Sequence, residues 1–367
     1  MIVSGSVPPE PCGVGDHAAR LARELGARKG VEVAVLTSAW IEPERQGSAE
    51  VFPIVRDNTF ASLRDALRKM KEWQPDVVHF QYPTQGYRHW GRALTLMPAA
   101  AWLQGRKVVF TWHEPVRIRP HTIPHILLPG GVILVRPNYR DLMGAWFRIL
   151  HFIKDIRYVT NGSAFPMSSL SKDARADLRK ELMGEKERLV LYFGFAYAQK
   201  GVDQVFEIAD PTRDRLILCY RIDEGDIYQR EIARLASSGA WAGNARLMGF
   251  LPERQMADLL AVADAVVLPF REGSGPWNTS ALAVRDQGSL LVTTSREKSG
   301  YVAQENTYYA LPGDVTSMRA GLSAHIGSRH APGRGNGEVW RQLTDAHVDL
   351  YEAVLGMERP VVQRVQR

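Results

Sequence analysis

Cysteine is almost missing from this chain: 367 residues hold two, Cys12 and Cys219. They lie far apart and form neither a metal-ligand spacing nor a disulfide framework, which suits a reducing cytoplasm. No run reaches about 18 uninterrupted apolar residues, so no transmembrane helix is expected. The start, Met1-Ile2-Val3-Ser4, lacks a basic segment followed by a long apolar stretch, so no signal peptide is read there. The first glycine loop lacks the third glycine of a dinucleotide fingerprint, which disfavours a nicotinamide enzyme. Nucleic-acid motifs and the matching interleaving of aromatic and basic residues are absent too, so nucleic acid is not an expected partner.

What is present is an ordinary globular composition, 45% hydrophobic and 23% charged. The length suits two domains, since single cores stop growing at about 250–300 residues. The net charge is +6, and the excess is local. Residues 101–160 carry nine Lys or Arg against three acids. Such a segment suits an anionic lipid or a polyanionic acceptor, or it is a solvated face. Within it, Thr122–Ile153 mixes large apolar residues with these cations. That mixture suits either peripheral contact with an anionic membrane at its inner face or ordinary interior packing.

Short apolar runs alternate with amphipathic helices twice over. In the first half strands are expected at Ile2–Ser4, Val31–Leu36, Val77–Phe80, Val108–Thr111 and Arg157–Thr160. Helices are expected at Asp16–Leu25, Ala61–Trp73, Arg92–Leu103 and Tyr139–Phe152. In the second half the strands are Leu189–Phe193, Leu216–Tyr220, Arg246–Met248, Ala265–Pro269, Leu290–Thr293 and Tyr308–Ala310. The helices there are Val202–Ala209, Ile227–Ala236, Glu253–Val262, Thr279–Asp286 and Val315–Ile326. Continuous apolar strands separated by helices imply parallel sheets covered on both faces. The expected division is 1–165, 166–338 and a terminal segment 339–367. The seam is read near Asn161–Glu187, a Gly-rich loop at 328–338, and a last helix at Val339–Leu355 that crosses back to the first domain. Open parallel sheets bind ligands beyond the carboxyl ends of their strands, so function belongs on the loops that follow strands.

Four such loops stand out. Gly13-Val14-Gly15-Asp16 follows the first strand and opens a helix; it is either an anion-accepting helix start or merely a tight turn. His113 closes the strand Val108–Thr111 and is either a contact for an acceptor hydroxyl or a structural histidine. Lys200-Gly201 precedes a helix and can neutralise a diphosphate, or is a surface lysine. Pro269–Ser280 is a long Gly/Ser loop ending in Asn278, Thr279 and Ser280, strong N-cap residues whose N–H groups suit phosphate oxygens.

Taken in order, these segments resemble retaining glycosyltransferases of family 4, which have the GT-B fold. The resemblance adds Pro75-Asp76-Val77-Val78-His79, Thr160-Asn161-Gly162, Gly194-Phe195, Gly249-Phe250-Leu251, Ala263-Asp264-Ala265 and Leu311-Pro312-Gly313-Asp314, and closes with Trp340 and Tyr351. It implies two doubly wound Rossmann-like domains facing each other across a cleft, the first for the acceptor and the second for a nucleotide-diphosphate sugar. His113 and Lys200 would be catalytic. Donor contacts would come from Gly13, Gly15, Gly194, Lys200, Glu272, Gly275, Asn278, Thr279 and Ser280. Acceptor contacts would come from Asp16, Gln81, His113 and Glu114. The acceptor would be a carbohydrate, as in polysaccharide synthesis, a lipid-linked sugar or a small molecule. Transfer would retain the anomeric configuration, with no metal and no cofactor beyond the nucleotide sugar as co-substrate.

The sequence also departs from that family. Phe195 and Tyr197 stand where an arginine is usual, Ala283 stands at the second of two glutamates, and Arg221 replaces a glycine. Arg271 or Arg221 is the candidate for the lost cation. These departures motivate an alternative, a catalytically inactive GT-B protein serving as a binding or scaffolding subunit. A sugar-nucleotide epimerase would need more acidic and histidine groups than the candidate loops hold.

Overall fold

The computed structural model describes residues 1–356 apart from 11, 41, 85–92, 164 and 332–335. The expected helix start at Arg92, the centre of the Gly-rich loop and the tail after 356 therefore lie outside the described residues. The chain divides into one unit of Met1–Asn161 with Trp340–Arg367, and a second of Gly162–Val339.

The first unit is built on strands β1 (Ile2–Val3), β2 (Ala34–Ser38), β3 (Glu50–Val55), β4 (Val77–Tyr82), β5 (Lys107–Trp112), β6 (Gly130–Leu134) and β7 (Lys154–Tyr158). They form one sheet in the order β3-β2-β1-β4-β5-β6-β7, parallel throughout, with Ile2 beside Val35 and His79, and Val77 beside Lys107. Its helices are α1 (Gly13–Gly26), α2 (Phe60–Trp73), α3 (Met97–Leu103), α4 (Ile123–Leu127) and α5 (Tyr139–Met143). The second unit has β8 (Arg188–Phe193), β9 (Asp214–Cys219), β10 (Ala245–Leu247), β11 (Ala265–Leu268), β12 (Leu290–Thr294), β13 (Gly300–Val302) and β14 (Thr307–Ala310). Their order is β10-β9-β8-β11-β12-β14-β13, and the edge strand β13 is antiparallel. Its helices are α6 (Lys172–Met183), α7 (Val202–Ile208), α8 (Ile227–Ser237), α9 (Glu253–Val262), α10 (Thr279–Gln287) and α11 (Val315–His325), and the chain closes with α12 (Asn336–Leu355).

Period-two alternation splits each strand between two cores. In the first sheet Ile2, Val35, Val109 and Ile133 pack with Leu21 and Leu25 of α1 and with Trp340, Leu343 and Leu350 of α12. Their neighbours Val3, Leu36, Phe110 and Val132 pack on the other face with Leu63 and Met70 of α2, Met97 of α3 and Ile126 of α4. The last helix therefore completes the first unit's core.

Several differences from the expected elements have local causes. The first boundary falls at 161 rather than 165 because Phe165 packs edge-on against Phe193 of β8, 5.7 Å away. Part of the segment read as the seam folds as α6, capped by Ser171 accepting from Ala174 N–H. Only Leu182 is buried along it, so its apolar stripe is too thin to see. The helix expected over Tyr139–Phe152 breaks at Gly144, whose φ is +77°, and continues as 3₁₀ turns over Ala145–Phe152. Strand β3 was hidden by Pro53, which an edge strand tolerates. Strand β6 was hidden by its own opening glycines, Gly130 and Gly131.

Candidate functional site

Each sheet changes direction at one point. In the first unit the order reverses between β1 and β4, and in the second between β8 and β11. Ligands of doubly wound folds bind at the carboxyl ends of strands flanking such a switch.

In the first unit the segment after β1 leads into α1. Cys12 caps this helix, its Sγ accepting from Gly15 N–H at 3.4 Å. A Cβ on Gly15 would lie 2.7 Å from the carbonyl oxygen of Ser6. Gly15 is thus required for packing the helix start on the β1 loop, and its N–H is already used. That packing requirement is separate from the expected close approach to a donor. Gly13 is exposed at the helix start, and Asp16 is half-buried in the first turn.

Behind this edge lies a buried polar chain. His113 Nε2 and Gln81 Oε1 are 2.9 Å apart. Gln81 Nε2 is 3.2 Å from His79 Nε2, which also lies 2.8 Å from Thr111 Oγ1. His79 Nδ1 meets the Tyr351 hydroxyl at 2.6 Å. With the Gln81 amide in this orientation, His113 Nε2–H donates to Gln81, Gln81 N–H and Thr111 O–H donate to His79 Nε2, and His79 Nδ1–H donates to Tyr351. These protons are assigned from the network. His113 Nδ1 is then the ring's free acceptor position. Gln81 is 0% exposed, so it orients His113; the expected contact with an acceptor is corrected, because its amide is fully engaged inside the sheet.

The same cluster includes His17 of α1, whose ring meets that of His113 at 5.0 Å, and His347 of α12, whose ring lies 5.6 Å from that of His79. Burial holds every one of these imidazoles neutral. His113 is pushed down to about 3, by burial first and then by His347 and Arg136. His347 is pushed down to about 4 by burial. His17 and His79 fall well below the ordinary value, burial again being the largest cause. Neither ring nitrogen of His17 has a hydrogen-bond partner among the described residues.

Beside His113, the ends of β4 and β5 border a cavity of about 430 Å³ lined by Tyr82, Glu114, Arg117, Arg119, His121 and Leu142, among others. Glu114 is on its wall, where the expected acceptor contact is available to it.

In the second unit the switch lies between Gly194, after β8, and the loop after β11. Gly201 takes a left-handed φ of +68°, and a Cβ there would lie 2.2 Å from Pro269 O. That close approach joins the Lys200 turn to the β11 loop. Lys200 Nζ stands 4.9 Å from the centroid of Phe270, a cation–π contact. Arg271 Nε donates to Ala198 O at 2.9 Å, and its Nη2 pairs with Asp203 at 2.6 Å. Asp203 also accepts from Tyr228 O–H. Arg271 is therefore committed to holding the Lys200 turn and does not supply the missing cation; Arg221 is exposed.

The loop from Gly273 is ordered by its own contacts. Ser274 N–H donates to Thr294 O at 2.7 Å, and a Cβ on Gly275 would strike the Trp277 ring. Asn278 caps α10, its Oδ1 accepting from Ala281 N–H at 3.1 Å, so its side chain is occupied by the helix itself. Thr279 and Ser280 open the helix, and Ser280 Oγ lies 3.8 Å from a Cβ built on Gly194. The structure thus brings Gly194, Lys200 and the start of α10 to one sheet edge, whereas Glu272 is exposed. Ala283 is buried at 0%. Phe195 and Tyr197 stack with ring centroids 5.7 Å apart. Among the described residues no group of His, Cys, Asp or Glu is arranged to hold a metal ion.

Sequence reasoning assigned no role to His17 or His347, and it counted the arginines of the cavity only within the basic segment 101–160. Trp340, Leu343, His347 and Tyr351 are spaced by three or four residues and so share one face of α12; that spacing was the available signal.

The family model described as Glycosyltransferase Family 4 matches residues 11–158. No curated protein matches the chain in sequence. Solved structures match nearly its whole length. Sucrose-phosphate synthase from Thermosynechococcus elongatus is 17% identical, with a TM-score of 0.64 over 96% of both chains. HepE of Anabaena, in complex with UDP-glucose, is 14% identical, with a TM-score of 0.64 over 95% of this chain and 99% of that one. The catalytic domain of starch synthase IV from Arabidopsis thaliana, bound to ADP and acarbose, is 13% identical, with a TM-score of 0.66 over 97% and 99%. This chain accordingly has the GT-B fold, two parallel-dominated α/β units, with most of its first unit matching Glycosyltransferase Family 4.

Proposed function

We propose that the protein is a glycosyltransferase that moves a sugar from a nucleotide-diphosphate donor to a carbohydrate, lipid-linked or small-molecule acceptor, with retention of anomeric configuration. The observation that carries the reading is the convergence of Gly194, Lys200 and the start of α10 on the switch edge of the second unit. A helix start offers N–H groups to an anion, and a nearby ammonium adds charge. The departing diphosphate would be stabilised by Lys200 and by the N–H groups of Thr279 and Ser280, without a bound metal. On the first unit, neutral His113 would present Nδ1 as an acceptor to a hydroxyl of the reacting sugar or acceptor. An oxocarbenium-like transition state on the front face of the sugar fits a site whose strength is charge stabilisation of the leaving group. HepE and starch synthase IV were solved with UDP-glucose and ADP, which adds support for a nucleotide-sugar donor. No described helix is long and apolar enough to cross a membrane; we propose a cytoplasmic protein.

The test is a thermal-shift panel of UDP, GDP, ADP, CMP and dTDP. A ligand at 100 times its Kd stabilises by about 2.7 kcal/mol. One nucleotide should shift the protein, and Lys200→Ala should remove that shift. If no nucleotide shifts it, or the Lys200→Ala shift is unchanged, the donor assignment fails. With the donor known, the anomeric coupling of the product by proton NMR decides retention.

A further inference from the structure

The cavity beside His113 has a feature that sugar hydroxyls alone do not require. Arg117 and Arg119 line it; both are exposed, and among the described residues neither forms an ion pair or hydrogen bond through its guanidinium. Some arginines of the second unit are matched, as Arg179 is with Asp264 and Arg271 with Asp203. Glu114 is the one acid on the cavity wall, so the lining is net positive.

The backbone that carries the two arginines is anchored from below. Val116 is buried and its N–H donates to Met143 Sδ at 3.2 Å. The buried Thr122 hydroxyl donates to Arg117 O at 2.6 Å and accepts from Arg119 N–H at 2.9 Å. Arg119 is extended, with φ of −145° and ψ of 157°. The intervening Ile118 is 61% exposed. Two arginines on one anchored loop, with the Tyr82 ring in the same wall, offer the planar N–H donors that pair with a phosphate ester or carboxylate.

We propose that this cavity binds an anionic group, a phosphate ester or carboxylate, carried by the acceptor. The inference rests on the transferase reading for the word acceptor, but the site itself stands on the cavity and its unpaired cations.

The probe is phenyl phosphate, with phenyl glucoside as the uncharged control, measured by calorimetry at fixed ionic strength. A second arm uses vesicles of phosphatidylcholine with and without phosphatidic acid. The variants are Arg117→Gln with Arg119→Gln, both exposed positions that leave the core untouched, and Lys200→Ala as a control for the second unit. Hydrogen bonds to charged groups correspond to roughly 10- to 150-fold in affinity. The double variant should weaken phenyl phosphate at least about tenfold, while Lys200→Ala leaves it unchanged and phenyl glucoside shows no dependence on the arginines. If only the phosphatidic acid vesicles bind, and the double variant abolishes this, the anion is a lipid headgroup and the proposal holds. The proposal is overturned if neither probe binds, if the double variant binds equally well, or if Lys200→Ala removes the binding instead. The nucleotide panel separates the two ideas. Arginine-dependent phosphate binding without any nucleotide shift would retain this site and remove the transferase reading; a nucleotide shift without phosphate binding would do the reverse.

Discussion

Acidification should unfold the first unit before the second, because its interior stores neutral histidines. An unfolded histidine titrates near 6.5. In the fold, His113 and His125 are pushed down to about 3 and His347 to about 4, while His17 and His79 lie well below 6.5. Burial is the largest cause in all five. The groups that add to it are other histidines of the cluster, the Met1 amine beside His79, Arg136 beside His113, and Lys154 and His121 beside His125. The sign follows from proton binding. Between 6.5 and the lowered folded values, the unfolded chain binds more protons than the native one, so stability falls as pH falls. The histidine contribution is fully present above about 6.5. At pH 5.5, one unit below the unfolded value, each histidine removes about 1.4 kcal/mol. Five give about 7 kcal/mol as an upper limit; half of that still rivals the about 5–15 kcal/mol of a whole domain. The second unit lacks this liability, since neither His325 nor His330 is buried. The assay is urea unfolding at pH 7.5, 6.5 and 5.5, with hydrogen exchange to assign each transition to a unit. Unfolding at pH 5.5 should take up about 4.5 protons through these five histidines. His347→Gln should flatten the pH dependence by about one histidine's share. A first unit whose stability changes by less than about 1 kcal/mol across this range would refute the reasoning.

Three further perturbations follow from particular contacts. Gln81→Leu removes the partner of His113 Nε2 and a donor to His79; it should cost about 1–3 kcal/mol in urea unfolding and lower turnover at least about tenfold while nucleotide shifts persist. Gly15→Ala drives a methyl to 2.7 Å from Ser6 O, which should cost about 1–3 kcal/mol and lower the Tm of the first unit alone. Asp264→Ala strands Arg179, held at 2.9 and 2.7 Å, and the N–H of Leu189 at 2.8 Å; unfolding of the second unit should fall by about 3 kcal/mol, discounted for the part-exposed arginine.

Much of this architecture was readable along the chain. Runs such as Leu189–Phe193 and Ala265–Leu268 are apolar on both faces and short, the signature of a covered parallel strand. Asn278 announced a helix start, and it caps α10. Reading failed where the local signal was weak. α6 buries one residue, β6 opens on two glycines, and Gly144 sits inside an apparently helical pattern. Site residues were harder. The family resemblance made Gln81 an acceptor contact, yet the fold buries it against His79 and His113. Arg271 read as a spare cation, yet Asp203, sixty-eight residues away in sequence, claims it.

The division has a physical basis. Hydrophobic period and glycine placement act over a few residues, so they specify two doubly wound units and confine ligand chemistry to loops beyond strand ends. Protonation and pairing are set by neighbours that meet only after folding. His79 reaches Tyr351 across 272 residues, and no local pattern tells a histidine that its partner will be a phenol on the last helix. The neutral imidazoles, the committed Arg271 and the two unclaimed arginines beside His113 were therefore decided by tertiary contact, through burial and distance.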